Sequence, residues 1–272
     1  MSTIDLDGSG GNEPIDPHSD TTASPLDGIE IRTLHTADEM IELGEVFQQV
    51  WGSVTQLVTI EILMAVTHSG GYVSAAYETR GDGERMLGAS VAILARHHGK
   101  PALHSHITGL LPGARRSGLG RAMKMHQRDW AATNDIDWIV WTFDPLVRRN
   151  AWFNLSVLGA EAHEYLPSFY GTMTDSINAG DDSDRLLLAW AVDGATPGPI
   201  DPAEVEASDH LLVPTPEDIV ALRRTDPTEV ARWRRETRAA LQSALDGGGR
   251  IIGFTTAGEY VVVPSDAAEQ PS

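Results

Sequence analysis

Apolar side chains recur along this chain in two rhythms. Gly28 to Leu34 reads as a short strand, and the next stretch puts Met40, Leu43, Gly44, Phe47, Val50 and Trp51 on one face at helical spacing. Helical spacing resumes over Gln56 to Val66. Two strand-like runs follow, Tyr72 to Tyr77 and Met86 to Ala95, separated by the turn-forming Arg80-Gly81-Asp82-Gly83, which predicts a hairpin. Leu103 to Leu111 alternates, with His104, His106, Thr108 and Leu110 on one side and Leu103, Ser105, Ile107, Gly109 and Leu111 on the other. From Leu119 the period lengthens: Leu119, Ala122, Met123, His126, Trp130 and Ala131 share one helical face, and Arg121, Lys124 and Arg128 share another. Trp138 to Phe143 is apolar on both faces, as in a strand covered on each side. A helix over Ala151 to Leu158, stopped by Gly159, and strands over Ala160 to Tyr165 and Arg185 to Val192 complete the series.

The order β-α-α-β-β-β-α-β-α-β-β predicts a mixed α/β domain over residues 26–193. Pro and Gly then interrupt the pattern between Gly194 and Pro202, which reads as a linker. Beyond it Val230, Trp233, Thr237, Leu241, Ala244 and Leu245 form a helical face ended by Gly247-Gly248-Gly249. Ile251 to Thr255 and Glu259 to Val263 read as a hairpin around Ala257-Gly258, so residues 194–264 form a linker with a C-terminal helix and hairpin extension. Residues 1–25 and 265–272 are rich in small polar residues, Gly and Pro, and are predicted to be disordered tails.

A chain of 272 residues with 41% hydrophobic and 22% charged residues has enough apolar material for a sizeable core. No stretch approaches the length of a membrane span, and the first residues carry acids and glycines where a signal peptide carries basic and apolar regions. A cytoplasmic location is expected. The absence of cysteine excludes disulfides, a thiolate nucleophile and cysteine-ligated metal centres. A formal charge of -19 repels nucleic acids and acidic membranes, so neither is an expected partner.

Within this acidic chain, residues 112–128 hold Arg115, Arg116, Arg121, Lys124 and Arg128, and no acid. The island begins at Leu110-Leu111-Pro112-Gly113-Ala114-Arg115-Arg116-Ser117-Gly118-Leu119-Gly120-Arg121, where a strand passes to a helix through glycines. Glycines admit a phosphate close to the backbone, and the unpaired amides of a helix start point at it with a favourable dipole. The segment lacks the Gly-Lys-Ser/Thr ending of a Walker loop, and Met123 stands where a dinucleotide fingerprint requires Gly or Ala.

Arg115-x-x-Gly118-x-Gly120 after an apolar strand resembles the acyl-CoA signature of the GNAT acyltransferase superfamily, over roughly residues 28–192. The resemblance implies a mixed, mostly antiparallel central sheet flanked by helices, with the C-terminal helix and hairpin added to it. It also implies that a bulge at Leu110 and Leu111 pairs with the pantetheine arm. The diphosphate is then held by Arg115, Arg116, Ser117, Gly118, Leu119, Gly120 and Arg121, and Asn150 contacts the same ligand. His104-Ser105-His106, Phe143-Asp144-Pro145, Arg149-Asn150-Ala151, Leu158-Gly159-Ala160, Tyr165 and Phe169-Tyr170-Gly171 look like one GNAT branch, some relatives of which are associated with N-succinylation of amino acids. The implied donor is acetyl-CoA or succinyl-CoA and the implied acceptor a small amine or amino acid, with no metal. Homodimers are common in the superfamily.

The reaction so implied is direct transfer: a neutral amine attacks the thioester, a base removes its proton, and an acid protonates the leaving thiolate. His106, with His104 beside it, is the candidate base, because imidazole titrates near neutrality. A hydrogen-bonded sheet histidine has the same sequence signature, and Glu78 and Asp144 are lesser candidates, Asp144-Pro145 being equally a turn. Many GNAT enzymes carry a tyrosine acid at the position held here by Leu155, leaving Tyr165, Tyr170 or water for the role. Arg148 and Arg149 face an acyl carboxylate, the ribose phosphate or solvent, and Trp130, Trp138, Trp141 and Trp152 read as core. The displaced tyrosine motivates a second class, a non-catalytic acyl-CoA-binding or sensor protein.

Overall fold

The computed structural model describes residues 4–5, 26–81, 83–115, 118–171, 181–194 and 210–265. They fall into two compact units, residues 1–137 and 138–272. In the first, β2 (Ile29–Thr33), β3 (Tyr72–Arg80), β4 (Gly83–His97) and β5 (Lys100–Leu110) form an antiparallel sheet in that order. A two-residue strand, β1 (Ile4–Asp5), runs parallel to β5 opposite Thr108 and Gly109, and is the described part of the expected N-terminal tail.

Helix α1 (Ala37–Trp51) opens on a capping box: the Thr36 hydroxyl accepts from Glu39 N, and Glu39 Oε2 accepts from Thr36 N at 2.9 Å. With α2 (Ile60–His68) it covers one face of the sheet, where Met40, Leu43, Phe47 and Val50 pack with Val73, Val91 and Ile107. The second helix starts at Ile60 rather than Gln56. Helix α3 (Leu119–Thr133) serves the other face, where Leu119 and Met123 join Leu110 and Ala76.

Two faces differ from the alternation read in the sequence. Helix α3 buries Leu119, Gly120, Met123, Lys124, Gln127 and Ala131, so Lys124 belongs to the core stripe and not to the basic face. Strand β5 pairs Ile107 with Val91 but Ser105 with Ala92, which leaves His106 as the extra residue of a β-bulge. The bulge expected at Leu110 and Leu111 therefore lies at His106. Past it the phase reverses, and Ser105, Thr108 and Leu110 share the α3 side while Ile107 packs on the α1 side.

In the second unit, β8 (Arg185–Ala191) lies antiparallel between β6 (Trp138–Phe143) and β7 (Glu161–Leu166). The helix expected over Ala151 to Leu158 begins earlier, as α4 (Arg148–Ala151), and widens into a π-helix over Trp152–Val157. A second antiparallel sheet, in the order β10-β11-β9, is built from β9 (Leu211–Pro214), β10 (Arg250–Phe254) and β11 (Glu259–Val263). Between β9 and β10 come α5 (Ile219–Thr225) and α6 (Pro227–Asp246). β9 and α5 are additions to the elements read from the sequence, and most of the expected linker lies outside the described residues.

The C-terminal elements are packed into this unit. Tyr260 Oη donates to Pro145 O at 2.7 Å and Ser156 Oγ donates to Phe254 O at 2.8 Å, both buried. The buried stripe of α6 is Val230, Arg234, Thr237 and Leu241, with Arg234 where the apolar reading expected Trp233. The architecture is mixed α/β, with mostly antiparallel sheets flanked by helices. Among the described residues no helix is long and apolar enough to cross a membrane.

Candidate functional site

The chain leaves β5 at Leu110 and turns once through a 3-10 helix, Pro112–Ala114. Leu111 N donates to Leu87 O at 2.8 Å, and Arg115 Nε folds back onto Leu110 O at 3.1 Å. Backbone groups at Leu110 and Leu111 are thus engaged by the protein itself. Gly118 then takes a left-handed conformation, φ 75°, which favours glycine, and serves as N-cap of α3 without a side-chain cap bond. The first helical bond runs from Ala122 N to Gly118 O, so the amides of Leu119, Gly120 and Arg121 have no intrahelical acceptor. No acid stands in this first turn, and Arg121 is exposed beside it. Such a terminus attracts an anion through amides and helix dipole together. Arg116 and Ser117 lie outside the described residues.

His106 occupies the bulge four positions before Leu110, half-buried, with the His104 ring 6.4 Å away between centroids. Burial lowers the pKa of both; His104, further depressed by the neighbouring His106, is pushed down to about 4. Both imidazoles are therefore neutral at neutral pH, the form that accepts a proton.

Beneath the bulge lies a buried polar chain that sequence reading missed. Lys124 Nζ donates to Ser105 Oγ at 2.8 Å and to Gln127 Oε1 at 3.2 Å. Gln127 Nε2 donates to Ser90 Oγ at 3.4 Å, and the Ser90 and Thr108 hydroxyls pair at 2.8 Å. Burial pushes the Lys124 amine down to about 7. Nearby, on the same helix, His126 Nδ1 bonds the Tyr72 hydroxyl at 2.8 Å.

The second unit carries the remaining candidates. Asn150 is 1% exposed, and its Oδ1 has no hydrogen-bond partner among the described residues. A buried amide oxygen so left is costly, and calls for a ligand or water to satisfy it. Leu155 is a core residue in the π-helix. Tyr165 Oη donates to Asp184 Oδ2 at 2.7 Å; burial, and then the Asp184 charge, raise its pKa. Tyr170 is more open, 38% exposed, with its ring edge-on to Phe169 and the Arg185 guanidinium 5.1 Å above it.

Asp144 has another occupation than a base. It is buried against Arg223 and bonded by Arg234 at 2.7 and 3.1 Å, and Asp181 pairs with the same two arginines. Burial alone would raise the Asp144 carboxyl, but the charges of Arg234 and Arg223 outweigh it and hold the group ionised, well below the usual range. Arg148 reaches Thr215, bonding its hydroxyl at 3.3 Å and its carbonyl, and so ties α4 to the C-terminal sheet rather than facing solvent. Glu78, at the outer end of β3, pairs with Arg80. Of the tryptophans, Trp141 is a core residue, 2% exposed and edge-on to Trp190, whereas Trp130, Trp138 and Trp152 are half-buried.

No protein-family model and no curated protein matches the sequence. The structure resembles solved N-acetyltransferases, among them GNAT-family members. One is the ribosomal-protein-S5-alanine acetyltransferase from Vibrio fischeri, 14% identical over 62% of this chain and 96% of that one, with a TM-score of 0.49. An N-acetyltransferase from Staphylococcus aureus Mu50 is 15% identical, with 61% and 99% of the two chains covered and a TM-score of 0.44. The NatC complex bound to Gag peptide and CoA is 12% identical, with 60% and 98% covered and a TM-score of 0.47.

Proposed function

We propose that this chain is a GNAT-type N-acyltransferase that takes an acetyl or succinyl group from coenzyme A and passes it to a small amine or amino acid. The observation that carries the reading is the succession of a bulged strand, a basic turn and an open helix start within sixteen residues, from His106 to Arg121. An acyl-CoA needs these three things. Its extended, amide-bearing arm pairs with interrupted strand backbone, its diphosphate needs free amides, and its phosphates need local cations in a chain of charge -19.

Chemistry follows from the same residues. His106, neutral because burial lowers its pKa, takes the proton of the attacking amine as the C–N bond forms. The C–S bond breaks, and the thiolate leaves with a proton from water; the Tyr165 hydroxyl is in any case committed to Asp184. Helix amides and arginines position the donor so that attack is intramolecular in effect.

Calorimetric titration with acetyl-CoA, succinyl-CoA and free CoA tests the reading, with Gly118→Val and Gly120→Val as controls. Micromolar binding abolished by both substitutions is expected. No binding of any of the three would end it. Commitment of the Tyr165 hydroxyl to Asp184 favours, as second reading, a sensor that binds acyl-CoA without turnover. Steady release of free CoA in the presence of an amine library separates the two, and His106→Ala slows that release only in an enzyme.

A further inference from the structure

The polar chain under β5 begins and ends on that strand, at Ser105 and Thr108. Residues three apart on a regular strand face opposite sides of the sheet. These two share the α3 side because His106 is inserted between the paired positions. If the bulge were drawn out, one of the two hydroxyls would turn toward the apolar face built by Phe47, Val50 and Ile107, and its partner beneath would lose a hydrogen bond in the core. Lys124, Gln127 and Ser90 are at most 1% exposed, so water cannot replace that bond cheaply.

We propose that Lys124 is a positioning residue: bonded directly to Ser105, and through Gln127 and Ser90 to Thr108, it clamps the β5 bulge and so aims the His106 imidazole. A methionine of similar length would fill the same space without the cost of burying an amine, which burial has already brought down to about 7. The retained polarity is explained by what it grips on either side of His106. The inference deepens the acyl-transfer reading, in which His106 is the base, but the clamp is measurable without substrate.

The test is a titration of the His106 imidazole by proton–carbon NMR in the full chain, assigned with His106→Gln, for the parent, Lys124→Met, Ser105→Ala and Ser105→Thr. A released bulge opens the ring to water, so the His106 pKa is expected to rise by about half a unit or more toward its ordinary value in Lys124→Met and Ser105→Ala. Ser105→Thr keeps the hydroxyl and is expected to stay within about 0.2 units of the parent. An unchanged His106 titration in folded Lys124→Met overturns the proposal. If that variant does not fold, the Ser105 pair decides: equal titrations for Ala and Thr overturn it. Acetyl-CoA titration of the same proteins separates the two readings. A His106 response with no acetyl-CoA binding by the parent keeps the clamp and discards the acyltransferase; binding without a His106 response does the reverse.

Discussion

Arg234 and Asp144 stand 90 residues apart in the chain and share two hydrogen bonds, at 2.7 and 3.1 Å, with both side chains buried. Asp181 and Arg223 complete a four-residue cluster, and Asp184, Arg238 and Tyr165 form a second one beside β8. Such clusters cost desolvation, and their members depend on one another once buried. Arg234→Met is therefore expected to lower stability by about 3–5 kcal/mol, because it leaves Asp144 and Asp181 short of charge in the interior. Urea unfolding followed by tryptophan fluorescence measures this, and a loss under about 1 kcal/mol would mean that the cluster is solvated.

Lys124 makes a prediction about alkaline stability. Its folded pKa is about 7, against about 10.4 for an unfolded lysine, so between these values the unfolded chain binds more protons. Stability contributed by the group therefore rises with pH through that window, and below it the full penalty of burying the charge remains. Relative to Lys124→Met, the parent is expected to gain about 2 kcal/mol between pH 6.5 and pH 9. Parallel unfolding curves at the two pH values test the sign.

His104 predicts the opposite limb. A half-buried imidazole with a folded pKa of about 4 must be protonated against partial desolvation as the chain is acidified, so stability present above about pH 6.5 is lost as pH falls toward 4. His104→Gln is expected to remove about 2 kcal/mol of that acid sensitivity, as read from thermal melts at pH 7 and pH 4.5. For transfer with His106 as base, the acid limb of kcat/KM is expected below the ordinary histidine value of about 6.5.

Gly258 bends the β10–β11 hairpin at φ 92°, directly against the Arg148 guanidinium. A methyl group there overlaps Arg148 and must displace it from Thr215. Gly258→Ala is expected to cost about 1–3 kcal/mol in thermal denaturation, and Arg148→Met in the same background to recover part of the loss.

The local chemistry of the site was legible where it is written in consecutive residues. Arg115 to Arg121 announced a helix start suited to an anion, and Gly118 adopts the left-handed turn that its place requires. The face assignments on β5 failed at one residue, because counting by twos carries no sign of an insertion and His106 looks like any other step. Helical spacing alone puts Lys124 on the basic face with Arg121 and Arg128, for the same kind of reason. Its polar partners are Ser105, on a strand distant in sequence, and Gln127, itself bonded to Ser90 on another strand, and their approach makes a buried amine tolerable. Arg234 sits at helical spacing between Val230 and Thr237, so its buried position was readable, but its acids Asp144 and Asp181 come from distant loops. Long-range pairing of this kind leaves no trace in local periodicity.

The wide helix after α4 changes how positions in this chain compare with those of an α-helical relative. Leu158 N bonds Phe153 O at 2.9 Å, five residues back, so the side chain one turn above Leu158 is Phe153 and not Asn154. Each residue of Trp152–Val157 is thereby offset against the ordinary helical count, and Leu155 occupies a different azimuth from the residue that a straight α-helix would present four places before Gly159. An equivalence drawn by counting letters back from that glycine compares side chains that point in different directions. Superposition of the helix axes, rather than alignment of the sequence, decides which group of this protein stands where the proton donor of a relative stands.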